Sequence, residues 1–265
     1  MKQRLKRQSW WSLSVIVTMV SLNLGIEEAK AQPLPCANFV LLSETTSNSS
    51  TPTISAQEIF RRAYENRYTW DSQFPGYTAV VEFKQGKEDH KGNVRVNSDK
   101  SVEVTGIDNK DARQTIEDTL RMQIVHHQRI PFEAAHRNSI FQMGATESTG
   151  AVEIFEHGDK TESHYKVFHQ QLRQVNRLLG NTAVTVDVLN SETTPKGYLA
   201  THYRTIFHQP QTQQVLGEEE SEDTYKNIGG YYVLARQVTH DSQPGQQTTA
   251  SFDFSNIHLF SGTGG

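Results

Sequence analysis

The sequence is poor in sulfur, in basic charge and in long apolar runs, and each shortage closes off a class of function. One cysteine in 265 residues leaves no partner for an intramolecular disulfide, no CxxC redox couple and no cysteine-rich zinc or iron–sulfur site. Lys+Arg 26 against Asp+Glu 30 gives a net charge of -4. That balance excludes the basic face with which a general nucleic-acid binder displaces counterions from phosphates. Motifs that announce chemistry are missing too: there is no GxSxG elbow, no HExxH, no glycine-rich phosphate loop and no EF-hand loop. Gly229-Gly230 reads as a hairpin turn, not a phosphate cradle. What remains is a chain with 35% hydrophobic residues, enough to bury the core of one large domain or two small ones.

The first thirty residues read as an address. Lys2, Arg4, Lys6 and Arg7 precede an apolar stretch from Trp10 to Ile26, and the segment ends in Ala29-Lys30-Ala31. Basic, apolar, then small-x-small is the order of a secretory signal peptide, here with cleavage before Gln32. The alternative, a retained membrane anchor, falls short of the about 20 mostly apolar residues that a span needs, because Ser12, Ser14, Thr18, Ser21 and Asn23 interrupt the run. Removing residues 1–31 leaves 21 basic and 28 acidic residues, a net charge of -7. An exported chain enters an oxidising compartment, the periplasm or the thylakoid lumen, with Cys36 as an odd thiol. Residues 32–53, rich in Ser and Thr, are too polar to bury anything and are expected to form a flexible linker.

From Ile54 the periodicity changes twice. Ser55-Ala56-Gln57-Glu58 is a capping box, and Ile59, Phe60, Ala63 and Tyr64 line one helical face, which predicts a helix from 56 to about 68. After Pro75-Gly76 the period becomes two, with Tyr77, Ala79, Val81 and Phe83 on one face, then Val94 and Val96, then a short strand from Val102 to Thr105. Asp108 is read as the cap of a second helix through Ile116, Leu120 and Ile124 that ends near His127, with Pro131 as its stop. Beyond residue 139, turn signals at Gly150, Gly158-Asp159, Gly180-Asn181, Pro195-Lys196-Gly197, Pro210, Gly229-Gly230 and Pro244-Gly245 divide a run of long strands. The expectation is a single α+β domain over 54–260 and a frayed tail over 261–265. Its large curved antiparallel sheet is a half-barrel-like meander, with two main helices covering the concave face.

Eleven histidines raise the question of a metal. His126 and His127 are adjacent on a helix and point about 100° apart. His202 and His208 share a strand face but lie roughly 20 Å apart in extended chain, and His164 and His169 have opposite parity. No ligand spacing emerges, so no metal and no cofactor is expected. The acidic run Glu218-Glu219-Glu220-Ser221-Glu222-Asp223 reads as the solvated face of an edge strand, or as a docking segment for a protein partner. An enzymatic alternative uses His126 or His127 with Arg129 as acid–base groups.

Aromatic residues carry the remaining signal. Tyr64, Tyr68, Trp70, Phe74 and Tyr77 gather around Asn66, Arg67 and Asp71, where the first helix meets the first strand. Tyr198, Tyr203, Phe207, Tyr225, Tyr231, Tyr232, Phe252 and Phe254 add aromatic area in the late strands. Two readings stand side by side: a core cluster docking the helix on the sheet, or the lip of a ligand cavity. On the second reading the binding residues are Tyr64, Arg67, Tyr68, Trp70, Tyr77, Tyr203 and Tyr232.

Three segments carry a family likeness: Ala63-Tyr64-Glu65-Asn66-Arg67-Tyr68-Thr69-Trp70, Lys91-Gly92-Asn93-Val94-Arg95-Val96-Asn97, and Tyr225-Lys226-Asn227-Ile228-Gly229-Gly230-Tyr231-Tyr232 onward to Phe254-Ser255-Asn256-Ile257. Together they resemble an uncharacterised family of cyanobacterial and plant proteins that share a domain of unknown function, over about 54–260. The resemblance implies an origin in a photosynthetic lineage and assigns no catalytic residue. The order helix, strands, helix, long strands is also similar, in pattern alone, to the LolA-type half-barrels that carry lipoproteins or other apolar ligands across the periplasm. The sequence thus points to a secreted, non-catalytic binding or carrier protein for a lipid, acyl chain or pigment. The alternative is a periplasmic or lumenal assembly factor that contacts other proteins. In either case membrane contact is expected only through the signal peptide.

Overall fold

The computed structural model describes residues 54–158 and 162–261. The expected signal peptide, Cys36, the linker over 32–53 and residues 262–265 of the tail lie outside the described residues.

Helix α1 spans Ala56–Glu65. Ser55 caps it, its hydroxyl accepting from the Glu58 amide at 3.2 Å, while the Glu58 carboxylate turns to Arg62 Nε at 2.7 Å instead of reaching back to the cap. The helix ends at Glu65, three residues before the expected stop, because the next segment is bonded elsewhere. The Tyr198 amide donates to Asn66 O at 2.9 Å, Tyr68 N to Tyr198 O at 2.8 Å, and Trp70 N to His127 O at 2.7 Å. Extended backbone that crosses to a sheet and a second helix cannot also close helical bonds. Helix α2 spans Lys110–His127. Its cap is Asn109, one residue after the expected Asp108, and Asn109 Oδ1 accepts from the amides of Asp111 and Ala112 at 3.0 and 3.1 Å. A single turn, α3 (Phe132–Ala135), follows Pro131.

Among the described residues twelve strands form one antiparallel sheet: β1 Gly76–Gln85, β2 Glu88–Asn97, β3 Val102–Thr105, β4 Ile140–Thr146, β5 Val152–His157, β6 Glu162–Phe168, β7 Gln171–Leu179, β8 Thr182–Thr194, β9 Gly197–His208, β10 Val215–Ile228, β11 Tyr231–Gln243 and β12 Gln246–Leu259. The order is β3-β2-β1-β12-β11-β10-β9-β8-β7-β6-β5-β4. The meander from β4 to β12 meets the β1–β3 unit through the pairing of the first strand with the last, Val81 opposite Phe254 and Phe83 opposite Phe252. The fold is therefore the expected α+β half-barrel: a large curved sheet, not closed, with helices on its concave side.

Its two edges, β3 and β4, are consecutive in the chain, and the connection between them carries α2 and α3. Eleven inter-strand steps amount to about 53 Å along the sheet, whereas an 18-residue helix is about 27 Å long. Curvature brings the edges within reach of so short a crossing. The chain's turn signals fall at the observed hairpins. Two hairpin turns lack a glycine or proline: β2 and β3 are joined by Ser98-Asp99-Lys100-Ser101, with Lys100 at positive φ (71°), and β6 and β7 at His169-Gln170, both with positive φ (49° and 57°). The acidic run lies in β10, which pairs on both sides with β9 and β11. The edge-strand reading of that run is thus incorrect. Its charges are instead matched across strands, Glu220 accepting from His202 Nε2 at 2.7 Å.

Candidate functional site

The concave face is built in three zones. Under α2, Ile116, Leu120 and Ile124 join Val81, Phe83, Val94, Val96, Phe252 and Phe254 in one apolar cluster, to which Tyr68, Trp70 and Tyr77 also belong. Under α1, Phe60 and Ala63 join Phe132, Ile154, Tyr165 and Val167 in a second. Helix α1 packs on β4, β6 and β7, and α2 packs most extensively on β3. Between the two clusters the central strands present Val175, Val186, Val188 and Tyr203, all half-buried. Strand register places them on the inward face, with Val175 opposite Val186 and Val188 opposite Tyr203.

Each flank of this zone holds a buried carboxylate. Asp223 (β10) accepts from Gln237 Nε2 at 2.8 Å, Gln123 Nε2 at 3.0 Å, Tyr225 OH at 2.9 Å and Tyr203 OH at 3.5 Å. Burial outweighs those neutral donors and pushes its pKa up to about 6; burial likewise drives the hydroxyls of Tyr203 and Tyr225 well above the usual phenol range. Glu156 (β5), 5% exposed, accepts from His136 Nδ1, Ser139 Oγ and Tyr165 OH, each at 2.6 Å. Burial alone raises such a carboxyl, but the bonds and the attraction of His136 prevail and hold it at about 2.

The seven residues expected to bind ligand divide into two groups. Tyr68, Trp70 and Tyr77 are each 2% exposed and belong to the core, not to a lip. Trp70 stacks on Phe74 at 4.0 Å and on His127 at 5.0 Å and donates Nε1–H to Tyr232 O at 3.0 Å. Tyr68 OH accepts the Tyr232 amide at 2.8 Å, and burial raises the Tyr77 hydroxyl. The other four, Tyr64, Arg67, Tyr203 and Tyr232, keep part of their surface open. Arg67 lies over the Tyr64 ring at 4.0 Å and donates Nε–H to Tyr64 O at 2.9 Å, while Tyr64 OH donates to Ile130 O at 3.0 Å. Tyr203 lies on β9 within the central zone, opposite Val188, whereas Tyr64 lies at the α1 side.

The paired histidines part company as the helical geometry requires. His127 is 3% exposed, donates Nδ1–H to Gln123 O at 2.7 Å, and is pushed by burial to about 4. His126 is exposed to solvent, yet enclosure by the surrounding protein, with the guanidinium groups of Arg67 and Arg177 in electrostatic reach, lowers it to about 4. An imidazole at about 4 is neutral near pH 7: it offers an N–H donor but is a poor proton shuttle there. Among the described residues no three His, Cys, Asp or Glu side chains gather as a metal site, and no helix is long and apolar enough to cross a membrane.

Arg177 and the valines of β8 escaped the sequence reading. The signal was present: Val184, Val186 and Val188 alternate, and Arg177 interrupts the inward parity of Val175 and Leu179.

Residues 51–260 match the family described as "Protein of unknown function (DUF3386)". The chain belongs to this family. The likeness read from the three sequence segments thus holds over the span where it was expected. No curated protein matches the chain by sequence. Among solved structures it is similar to a Vibrio parahaemolyticus domain named for outer membrane lipoprotein sorting, at 9% identity over 78% of this chain and 93% of that chain, with a TM-score of 0.32. It is also similar to a DUF1329 family protein from Desulfovibrio piger (8% identity, 78% and 92% covered, TM-score 0.24). A third is a chain of the Pseudomonas aeruginosa MucA/MucB complex (8% identity, 78% and 99% covered, TM-score 0.22).

Proposed function

We propose that the protein is an exported, non-catalytic binding protein whose concave face takes an apolar or amphiphilic ligand such as a lipid, an acyl chain or a pigment. The observation that supports this reading is the interruption of the core: two apolar clusters sit under separate helices, and between them Val175, Val186 and Val188 remain half-buried beside a small third cluster of Leu179, Val184 and Phe207. Apolar side chains left partly open on a concave surface, with a few polar groups at its rim, are the usual lining of a small-molecule site. The order of the first 31 residues supports export, to the periplasm or the thylakoid lumen.

The test is native mass spectrometry of the mature 32–265 protein purified from its own envelope fraction, with lipid and pigment analysis of what dissociates. A discrete stoichiometric adduct is expected. A bare polypeptide mass, together with failure of any apolar fluorescent probe to bind saturably, overturns the reading.

A protein-assembly role is favoured by a different feature, the sheet edge at β4. There Ile140 is 71% and Met143 39% exposed, beside backbone groups of the kind that accept an added strand. Crosslinking in the envelope fraction distinguishes it: a discrete partner linked through β4 supports this role.

A further inference from the structure

We infer that the central zone of the concave face recognises an anionic oxygen head group, carboxylate or phosphate, through Arg67, Arg177 and His126, with the ligand's apolar part lying along the valines of β7 and β8. The inference rests on the binding reading above and narrows it to a ligand class.

Three elements distant in sequence bring these groups together. Arg67 follows the end of α1, His126 lies in the last turn of α2 and Arg177 is in β7. The Arg67 guanidinium carbon lies over the Tyr64 ring at 4.0 Å, and its Nε donates to a backbone carbonyl. No hydrogen bond engages its terminal nitrogens among the described residues. Arg177 lies over Tyr165 at 5.8 Å and donates one terminal nitrogen to Tyr165 OH at 3.0 Å, but its Nε is buried with no hydrogen-bond partner. Tyr64 and Tyr165 flank the same ring, Phe60, at 6.1 and 4.5 Å, so the two guanidinium groups belong to one neighbourhood. Both act electrostatically on the solvent-exposed His126 ring.

Such an arrangement is costly without an anion. A guanidinium taken out of water with an unmade hydrogen bond loses hydration that nothing returns. The carboxylate that acts on Arg177, Glu156, already serves His136, Ser139 and Tyr165, and it makes no direct hydrogen bond to the guanidinium. Planar guanidinium forks match the geometry of carboxylate and phosphate oxygens. Neither Arg67 nor Arg177 forms a carboxylate ion pair among the described residues.

The test compares three chain-matched amphiphiles, dodecanoate, dodecyl phosphate and dodecanol, by displacement of an apolar fluorescent probe from the purified protein, with inorganic phosphate as a fourth competitor. The two anions are expected to bind at least about tenfold more tightly than the alcohol, the size of a charge-assisted hydrogen bond. In Arg67→Gln and Arg177→Gln that advantage is expected to vanish while dodecanol affinity stays the same. Arg67→Gln, outside the Glu156 cluster, keeps the test valid if Arg177→Gln fails to fold, which circular dichroism reports. Equal affinities for dodecanoate and dodecanol overturn the anion site and leave the binding reading standing. Inorganic phosphate as potent as dodecyl phosphate supports the anion site but assigns it to a free anion. No displacement by any competitor overturns both readings.

Discussion

Under α2 the sheet packs on 21 buried apolar residues, whereas the cluster under α1 has eight. The smaller side relies correspondingly more on polar contacts, and each side buries a carboxylate in a different way. Asp223, facing α2, receives hydrogen bonds from two amides and two phenols, all uncharged. Glu156, facing α1 and α3, receives an imidazole and two hydroxyls. The first is pushed up to about 6 and the second held at about 2. Neutral donors do not compensate a carboxylate for lost hydration, and a donor able to carry charge does. The same rule makes Arg177, a cation with only a phenol to bond, the exposed flank of the molecule's electrostatics.

The comparison is open to several perturbations. The largest expected effect is on packing. Phe252→Ala, at a site 0% exposed in the larger cluster, is expected to cost about 3–5 kcal/mol by urea unfolding. Phe60→Ala, within a ring of aromatic neighbours at 4.5–6.2 Å, removes as much ring but from the smaller cluster. Amide hydrogen exchange is therefore expected to quicken in β4–β7 ahead of β1, β11 and β12. Uniform quickening in both variants dissolves the distinction between the two sides.

Next come the carboxylates, whose signs are opposite. The folded pKa of Asp223, about 6, exceeds its ordinary value of 3.8. Its contribution is fully present below about pH 4 and is lost as pH rises through 6, on the order of 3 kcal/mol. Asp223→Asn is expected to be less sensitive than the parent to a change from pH 4 to pH 7. For Glu156 the folded pKa of about 2 lies below its ordinary 4.5, so its contribution is present above pH 4.5 and disappears as pH falls toward 2. The size is on the order of 2–3 kcal/mol, and Glu156→Gln is expected to flatten the acid limb of the melting-temperature profile. Identical pH profiles for the two variants break the assignment of opposite roles. The smallest effects are at the caps: Ser55→Ala and Asn109→Ala are each expected to cost about 1 kcal/mol. The second is the larger, since Asn109 Oδ1 serves two amides.

Much of this architecture is legible in the chain. Period-two runs such as Tyr77 to Phe83 and the turn residues from Gly150 to Gly245 place the strands, because local steric preference and one-sided burial act over a few residues. Helix α1 reads longer in sequence because Tyr68 follows Tyr64 at helical spacing, yet the backbone of Tyr68 and Trp70 serves β9 and α2, a partnership about 60–130 residues away. The acidic run misled for a similar reason. Its charges are answered across strands by His202 and, weakly, by Arg204, and cross-strand register does not exist in one dimension. Half of the aromatic site candidates turned out to be core because a ring looks the same in sequence whether protein or solvent covers its second face. Arg177 is the converse case, a polar residue at inward parity, and that conflict between pattern and charge was the most direct pointer to the central zone.

One feature of topology reaches beyond the folded state. β1 completes its hydrogen bonds on β12, and Phe260 N closes onto Gly76 O at 3.1 Å, so the earliest strand of the sheet waits for the latest one. During synthesis the segment from β4 onward can zip hairpin by hairpin as it emerges. The β1–β3 unit has no long neighbour until nearly the whole chain is present. The strand made first is thus seated last, and for all of that interval its β12-side edge offers unpaired backbone groups, which makes it the segment on which a folding helper or an aggregate would first take hold.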